Sequence, residues 1–143
     1  MRTCLLLLWL VASITRSSAE TPDDPVFRRL ASVDVFAFGG VGFAAETSQG
    51  ERDYKLLLAR ASALTDFERL FTVGNIQAKC YALVAIRELN RRRFAELSPV
   101  LRDSQAVVMT MSGCIGGREP LSTVIARIES GDYPRRTLGS HKG

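Results

Sequence analysis

Nucleophilic catalysis would need a serine or cysteine next to a general base. The run Ser112-Gly113-Cys114 offers both nucleophiles, but the base that activates them is commonly histidine. The sequence has one histidine, His141, in a polar segment near its C-terminal end. This pattern argues against a Ser-His-Asp or Cys-His enzyme, and against a zinc site built from histidines. We therefore expect neither a bound metal nor a cofactor.

Carboxylate pairs are the second group of residues whose type could carry chemistry. Glu51 with Asp53, or Glu46 with Glu51, could act as acid and base in the hydrolysis of a polysaccharide. A helix start or a solvated helix face would also explain each of these residues. The sequence leaves open whether the protein is an enzyme, and it favours a role without catalysis.

Four arginines are candidates for binding an anion. Arg91, Arg92 and Arg93 are consecutive, and Arg87 lies about one helical turn earlier. Such a cluster could contact phosphate or an anionic surface. The alternative is that they close a helix, where cations interact favourably with the negative end of the helix dipole.

The glycine-rich run at residues 39–42 (GGVG) could cradle a phosphate group. No Gly-Lys-Ser/Thr sequence follows it, and the dinucleotide-binding pattern G-x-G-x-x-G is absent. We expect these glycines to allow a positive φ, or a close approach of two backbones, within a buried segment.

Residues 1–19 have the three parts of a cleavable secretory signal peptide. These are a basic start at Arg2, an apolar run over residues 4–14, and small residues at Ser17 and Ala19 before the cleavage site. The apolar run is shorter than the roughly 20 residues that a membrane span needs. We expect a secreted or periplasmic protein with no membrane span after cleavage, and an uncleaved anchor is the alternative.

Removal of this leader would change both the charge and the cysteine count. The formal net charge of +4 falls to +2, because Arg2 and Arg16 lie in the leader and all fifteen acidic residues follow it. We therefore expect no nucleic-acid partner. Cys4 would also be removed, and Cys80 and Cys114 are predicted to form a disulfide, since exported proteins keep such bonds. Two buried free thiols are the alternative.

Helix caps and apolar periodicity predict an all-α, mainly helical fold. We expect a compact bundle, or a short α-hairpin stack, of four to six helices with one disulfide. The best-marked helices lie at about residues 48–62, 65–73, 75–90 and 121–130. The first two of these begin at the capping boxes Ser48/Glu51 and Thr65/Glu68, and Asn75 and Gly131 would cap the start of the third and the end of the last.

The remaining segments are less well defined by pattern. Residues 33–45 are almost wholly apolar and belong to the core in either conformation, while residues 105–110 favour an extended segment without an obvious strand partner. We expect residues 111–117 to form a flexible turn region. The predicted organisation is a signal peptide at 1–19, a single helical domain at 20–133 and a flexible tail at 134–143.

Three segments resemble a family of small, uncharacterised, secreted bacterial proteins, some of which are associated with microcin gene clusters. These segments are residues 37–42 (AFGGVG), residues 80–83 (CYAL) and residues 111–115 (MSGCI). The resemblance spans about residues 33–133. It implies a bacterial source and that Cys80 and Cys114 belong to the family's pattern, and it implies no activity.

These observations predict a non-enzymatic accessory or immunity module that acts outside the cytoplasm. Its partner would be an unknown protein or a component of the cell envelope. The prediction rests on the absence of catalytic residues together with a well-furnished core. An exported hydrolase with a carboxylate pair, and a binder of anionic ligands or surfaces through the arginines, remain the alternatives.

Overall fold

The computed structural model of the protein describes residues 24–133. The predicted signal peptide (1–19) and the predicted flexible tail (134–143) lie outside this range and stay predictions. The described residues form seven helices and four strands, in the order α1 (Pro25–Ala31), β1 (Gly40–Val41), β2 (Glu46–Thr47), α2 (Gln49–Leu58), α3 (Ala63–Val73), α4 (Ile76–Leu89), α5 (Arg91–Leu97), α6 (Pro99–Arg102), β3 (Val107–Ser112), β4 (Ile115–Pro120) and α7 (Leu121–Ser130).

Several helix ends lie where the sequence places them. At the start of α2, Ser48 Oγ accepts a hydrogen bond from the Glu51 N–H (3.1 Å), and at the start of α4, Asn75 Oδ1 accepts one from the Ala78 N–H (2.9 Å). Gly131 ends α7 with a φ of +86°, which glycine adopts without a steric penalty. The caps at Asn75 and Gly131 are confirmed. Of the Ser48/Glu51 capping box only the Ser48 half forms, because the Glu51 carboxylate accepts from the Gly39 N–H instead.

The second predicted capping box does not form. Helix α3 begins at Ala63, and the residue before it, Ser62, directs its hydroxyl to Asp66 Oδ2 (2.8 Å) instead of to the backbone. A further difference concerns Asn90, which ends α4 and also caps α5, because its side chain accepts from the Arg93 N–H (3.0 Å). The two helices are therefore separated by one residue.

Helix α4 is the centre of the molecule. It packs against α3, α5, α7 and β3, while α1 packs against α2 and α3. A helix that is apolar around its whole circumference needs neighbours on every side, and nine α4 residues are buried: Gln77, Ala78, Cys80, Tyr81, Ala82, Leu83, Val84, Ala85 and Ile86.

The all-α prediction is wrong, because two antiparallel hairpins add strands to the helical part. In the larger one, β3 pairs with β4 from Val107↔Pro120 to Ser112↔Ile115. The two residues between the strands are Gly113, with a φ of +58°, and Cys114. A positive φ at the first turn position alone is typical of a type II′ hairpin turn. Residues 111–117, which were predicted to be a flexible turn region, therefore form the end of β3, an ordered turn and the start of β4. Strand β4 is the pairing partner of β3.

The segment at residues 36–42 runs alongside β3 on the side opposite β4. Only residues 36–38 of it are buried, and Phe43 is fully exposed, so the prediction that all of residues 33–45 belong to the core is wrong. It makes two isolated parallel bridges, Phe36↔Thr110 and Val41↔Gly113. The Phe36 N–H donates to the Met109 carbonyl (2.8 Å), and further along the segment turns into the small β1–β2 hairpin. This segment is therefore a broken third strand.

The Tyr81 hydroxyl fixes this segment to helix α4. It donates to the Ala37 carbonyl (2.8 Å) and accepts from the Ala37 N–H (3.0 Å). Burial raises the pKa of Tyr81 to about 12, so the hydroxyl keeps the proton that it donates. Gly50 lies so close that an added Cβ would be 2.6 Å from this hydroxyl oxygen. Glycine at position 50 therefore leaves room for the anchor.

Two ion pairs hold α1 against its neighbours. Asp53, whose side chain is 1% exposed, accepts two hydrogen bonds from Arg29, at 2.6 and 3.1 Å. Asp24 caps α1 by accepting from the Val26 N–H (3.1 Å) and is also paired with Arg60. The hydrogen bond from Arg60 lowers the pKa of Asp24 from 3.8 to about 2.

Within residues 24–133, no helix is long and apolar enough to cross a membrane.

Replacing Tyr81 by phenylalanine should destabilise the protein by about 2 kcal/mol, because the buried Ala37 N–H loses the hydroxyl that it donates to. The control is Tyr54→Phe, which removes a longer hydroxyl contact, 3.3 Å, to the exposed residue Glu88. We expect the control to cost less than about 1 kcal/mol. Urea unfolding followed by circular dichroism measures both. Equal losses in the free energy of unfolding would show that the hydrogen bonds of the Tyr81 hydroxyl contribute no more to stability than that of Tyr54.

The Asp24–Arg60 pair should make stability depend on pH in the acid range. Because the pKa of Asp24 is lowered on folding, the pair stabilises the native state above about pH 4 and is lost as the pH falls towards 2. Asp24→Asn keeps an oxygen for the cap and removes the charge. The variant should be less stable than the wild type at pH 7, and the difference should shrink between pH 4 and pH 2 in urea unfolding. A difference that stays constant over that range would refute this role.

Candidate functional site

A cavity of about 150 Å³ lies between the β3–β4 hairpin, the segment at 36–38 and the C-terminal part of α7. One face of the hairpin forms a wall, since residues at alternate positions along a strand point to the same side. The lining residues are Phe36, Ala37, Phe38, Thr110, Met111, Ser112, Ile115, Gly117, Glu119, Arg127 and Tyr133. We refer to this space as the hairpin cavity.

Aromatic rings form the inner wall of the hairpin cavity. Phe36 and Phe38 pack edge to face, with ring centroids 5.5 Å apart, and Tyr133 lies 5.0 Å from Phe36. Phe36 also packs against Tyr81, at 4.9 Å. The Tyr81 hydroxyl bonds to the backbone of Ala37, the residue between Phe36 and Phe38, and so joins this wall to helix α4.

A polar group stands in the opposite part of the wall. Glu119 accepts a hydrogen bond from Thr110 Oγ1 (2.8 Å) and pairs with Arg127 Nη1 (2.5 Å). The Arg127 guanidinium also lies over the Tyr133 ring, 5.1 Å from its centroid. Glu119 and Arg127 are each about 30% exposed. The cavity therefore combines an aromatic inner wall with a polar edge that contains the hydroxyl groups of Thr110 and Ser112 and one solvent-accessible ion pair.

Gly117 and Ile115 shape the entrance. Gly117 lies opposite Thr110 on the cavity face of the hairpin, and a Cβ there would be 3.2 Å from Thr110 Oγ1. Its lack of a side chain keeps the cavity open beside β4. Ile115 lines the same cavity and is 77% exposed. This places an apolar side chain in solvent at the rim.

The predicted carboxylate pairs are not brought to this cavity. Asp53 is occupied by Arg29. Glu51 accepts from the Gly39 N–H (2.8 Å) and pairs with Lys55 (2.7 Å), while Glu46 is exposed on β2. Within the described residues the hairpin cavity has one carboxylate in its lining, that of Glu119. No second acidic residue lies close to Glu119 in the sequence, so the spacing of acidic residues did not predict it.

The four predicted anion-binding arginines are distributed over different contacts. Arg87 donates to the Glu129 carbonyl near the end of α7 (3.3 Å), and Arg93 pairs with Glu68 (2.6 Å) and with Glu96 (2.9 Å). Arg91 and Arg92 are exposed. The prediction that Arg91–Arg93 close a helix is wrong, because they form the first turn of α5, where the dipole does not favour cations.

The predicted Cys80–Cys114 disulfide is absent, and both cysteines are free thiols. Cys80 is completely buried in α4, and burial raises its pKa to about 12. Cys114 is exposed at the turn of the hairpin. The expectation failed because spacing and compartment do not fix where two side chains end up. The alternative of two buried thiols is also wrong for Cys114.

The remaining motifs have structural roles, or lie outside the described residues. Gly39 and Gly42 have φ values of +87° and +70°, so the predicted positive φ is present. The run is not buried as predicted, because Gly40 and Gly42 are exposed. Ser112 is the last residue of β3 and Cys114 the second residue of the turn, while His141 is outside the described range. Among residues 24–133, no group of three or more His, Cys, Asp and Glu side chains is placed to hold a metal ion.

Comparison with protein-family models, with curated proteins and with solved structures gives no match to this chain. The resemblance to a family of secreted bacterial proteins therefore stays a prediction. The segments that carry it do meet in the fold. Residues 37–42 run beside residues 111–113, and Tyr81, from the segment at 80–83, anchors Ala37. Two of the three segments line the hairpin cavity.

The two described cysteines should differ in their reaction with N-ethylmaleimide. In the native protein Cys114 should be fully modified and Cys80 protected, because Cys80 is buried and keeps its proton, whereas both should react in urea. Peptide mapping by mass spectrometry separates the two sites from Cys4. A peptide pair linked through Cys80 and Cys114 in the unreduced protein would contradict the structure.

Proposed function

We propose that the protein is a non-enzymatic binding module that holds one side chain of another macromolecule in the hairpin cavity. The observation that carries this proposal is an open cavity with an aromatic inner wall and a polar edge formed by Thr110, Ser112, Glu119 and Arg127. Sites of this composition bind an apolar group and orient it through a few polar contacts. The exposed Ile115 at the rim supports a larger contact surface around the buried group.

The volume of the cavity favours a single side chain over a whole metabolite as the bound group. Pockets for drug-sized ligands and cofactors have volumes of roughly 300 to 1,000 Å³. The hairpin cavity has about 150 Å³, and an apolar cavity of about that volume holds one benzene-sized group. A leucine, methionine or phenylalanine side chain fits this limit, while the rest of its polymer would stay outside.

The amino-acid amide N-acetyl-leucinamide is a direct probe of this function. Its roughly 12 non-hydrogen atoms, at about −0.3 kcal/mol each, give a Kd on the order of 1 mM. Titration followed by methyl NMR should shift the signals of Ile115 and Thr110 and reach saturation. N-acetyl-serinamide should bind with a Kd at least about tenfold higher, because it buries less apolar surface. At equal concentration it should therefore shift the same methyl signals less.

A matched pair of glycine variants localises the binding. Gly117→Val would fill the cavity and should abolish the saturable shifts, whereas Gly116→Val adds the same side chain at a position with nothing within 4 Å and should leave them unchanged. Circular dichroism checks that both variants fold. The proposal fails if N-acetyl-leucinamide leaves both methyl groups unshifted at tens of millimolar, or if Gly117→Val binds as well as the wild type.

A further inference from the structure

The outer edge of β4 lies directly beside the hairpin cavity. Within residues 24–133, β4 pairs with β3 and with no other strand. In a hairpin closed by a two-residue turn, the flanking pair Ser112↔Ile115 exchanges hydrogen bonds, and the bonding pairs then alternate. Glu119 and Gly117 therefore bond to β3. The N–H and C=O groups of Gly116 and Arg118 point away from β3, towards solvent.

The hydrogen bonds on the other side of β3 agree with this alternation. Met109 O accepts from the Phe36 N–H (2.8 Å), and the Gly113 N–H donates to the Gly40 carbonyl (3.2 Å). These β3 residues bond to the segment at 36–42, which leaves the intervening ones for β4. Gly116 and Arg118 are both exposed, so their backbone groups can reach a partner.

The cavity and this edge share one geometry. A strand added along β4 would place its residue opposite Gly117 on the cavity face, where Gly117 itself has no side chain to fill the space. The next residue on either side would lie on the opposite face, next to Gly116 and Arg118. A single extended segment can therefore bond to the edge and fill the cavity at the same time.

The charge of Arg118 selects the composition of such a segment. Arg118 is exposed, and within the described residues its guanidinium has no carboxylate within ion-pairing distance. A charged side chain on an edge strand opposes indiscriminate pairing, but an acidic residue directly across from it is favourable. Residues that flank the buried side chain would thus be glutamate or aspartate.

We propose that the module binds an extended, acidic segment of a partner protein by adding it as an antiparallel strand to β4, with one apolar side chain in the hairpin cavity. This inference rests on the proposed function and adds the kind of partner and the mode of binding. Backbone hydrogen bonds to Gly116 and Arg118 supply affinity, while the cavity and Arg118 select an apolar residue between acidic ones. Antiparallel pairing is the commoner arrangement for two adjacent strands.

The test uses the full chain and the blocked peptide Ac-Thr-Glu-Leu-Glu-Thr-NH2, with binding followed by the methyl signals of Ile115 and Thr110. The peptide should bind at least about tenfold more tightly than N-acetyl-leucinamide, because two backbone residues add hydrogen bonds. Methylating the backbone nitrogens of the two glutamates should remove this gain, since their N–H groups face β4. Methylating the leucine nitrogen, which faces away, should not.

Charge reversal tests the role of Arg118. Arg118→Glu should weaken binding of the glutamate peptide at least about fivefold and favour Ac-Thr-Lys-Leu-Lys-Thr-NH2. Arg91→Glu makes the same change at an exposed position on α5 and should alter neither peptide. Equal effects of the two variants would overturn the contact with Arg118.

The outcomes separate this inference from the function on which it rests. If N-acetyl-leucinamide binds in the cavity but the peptide gains nothing, strand addition is wrong and the proposed function stands. If neither probe binds, both are wrong. Loss of binding on methylation of the leucine nitrogen alone would overturn the antiparallel register.

Discussion

One hydroxyl group joins the helical and the stranded parts of this molecule. Tyr81 projects from the central helix and satisfies both backbone groups of Ala37, in a segment that would otherwise carry an unsatisfied N–H into the core. That segment supplies two aromatic rings to the hairpin cavity and the edge along which β3 runs. The requirement for space around the hydroxyl extends to Gly50. Helix, strand and cavity thus depend on one side chain that is neither charged nor exposed.

Much of the helical part could be predicted because its determinants are local. A cap such as Ser48 or Asn75 acts on backbone groups three residues away, and Gly131 ends a helix through its own φ. The start of α3 was placed wrongly because its first residues use a side-chain pair, Ser62 with Asp66, in place of a backbone cap. Ser62 and Thr65 are both residue types that cap helices, so the local sequence does not show which of them precedes the first turn.

The strands and the cavity could not be derived in this way, because their determinants are far apart in the chain. Residues 105–110 were predicted to be extended, but the second neighbour of the strand that they enter, the segment at 36–42, lies about seventy residues earlier and has no alternating pattern of its own. The same distance hides the polar group of the cavity. Nothing in the local sequence indicates that Thr110, Glu119 and Arg127 meet. Of the acidic residues that local spacing suggested, Asp53 pairs α2 with α1, Glu51 holds the Gly39 N–H and Glu46 is exposed.

The position of Tyr133 at the cavity wall also sets when the site can exist during synthesis. Helices α1 to α5 contain most of the contacts around α4 and can begin to pack as they leave the ribosome, since domains fold as their segments become available. The segment at 36–38 would then be anchored by Tyr81 before its pairing partner, β3, has been translated. The hairpin cavity is completed only when residues 107–133 emerge, because they supply most of its lining. A nascent chain released before that point would contain the anchored segment without a cavity.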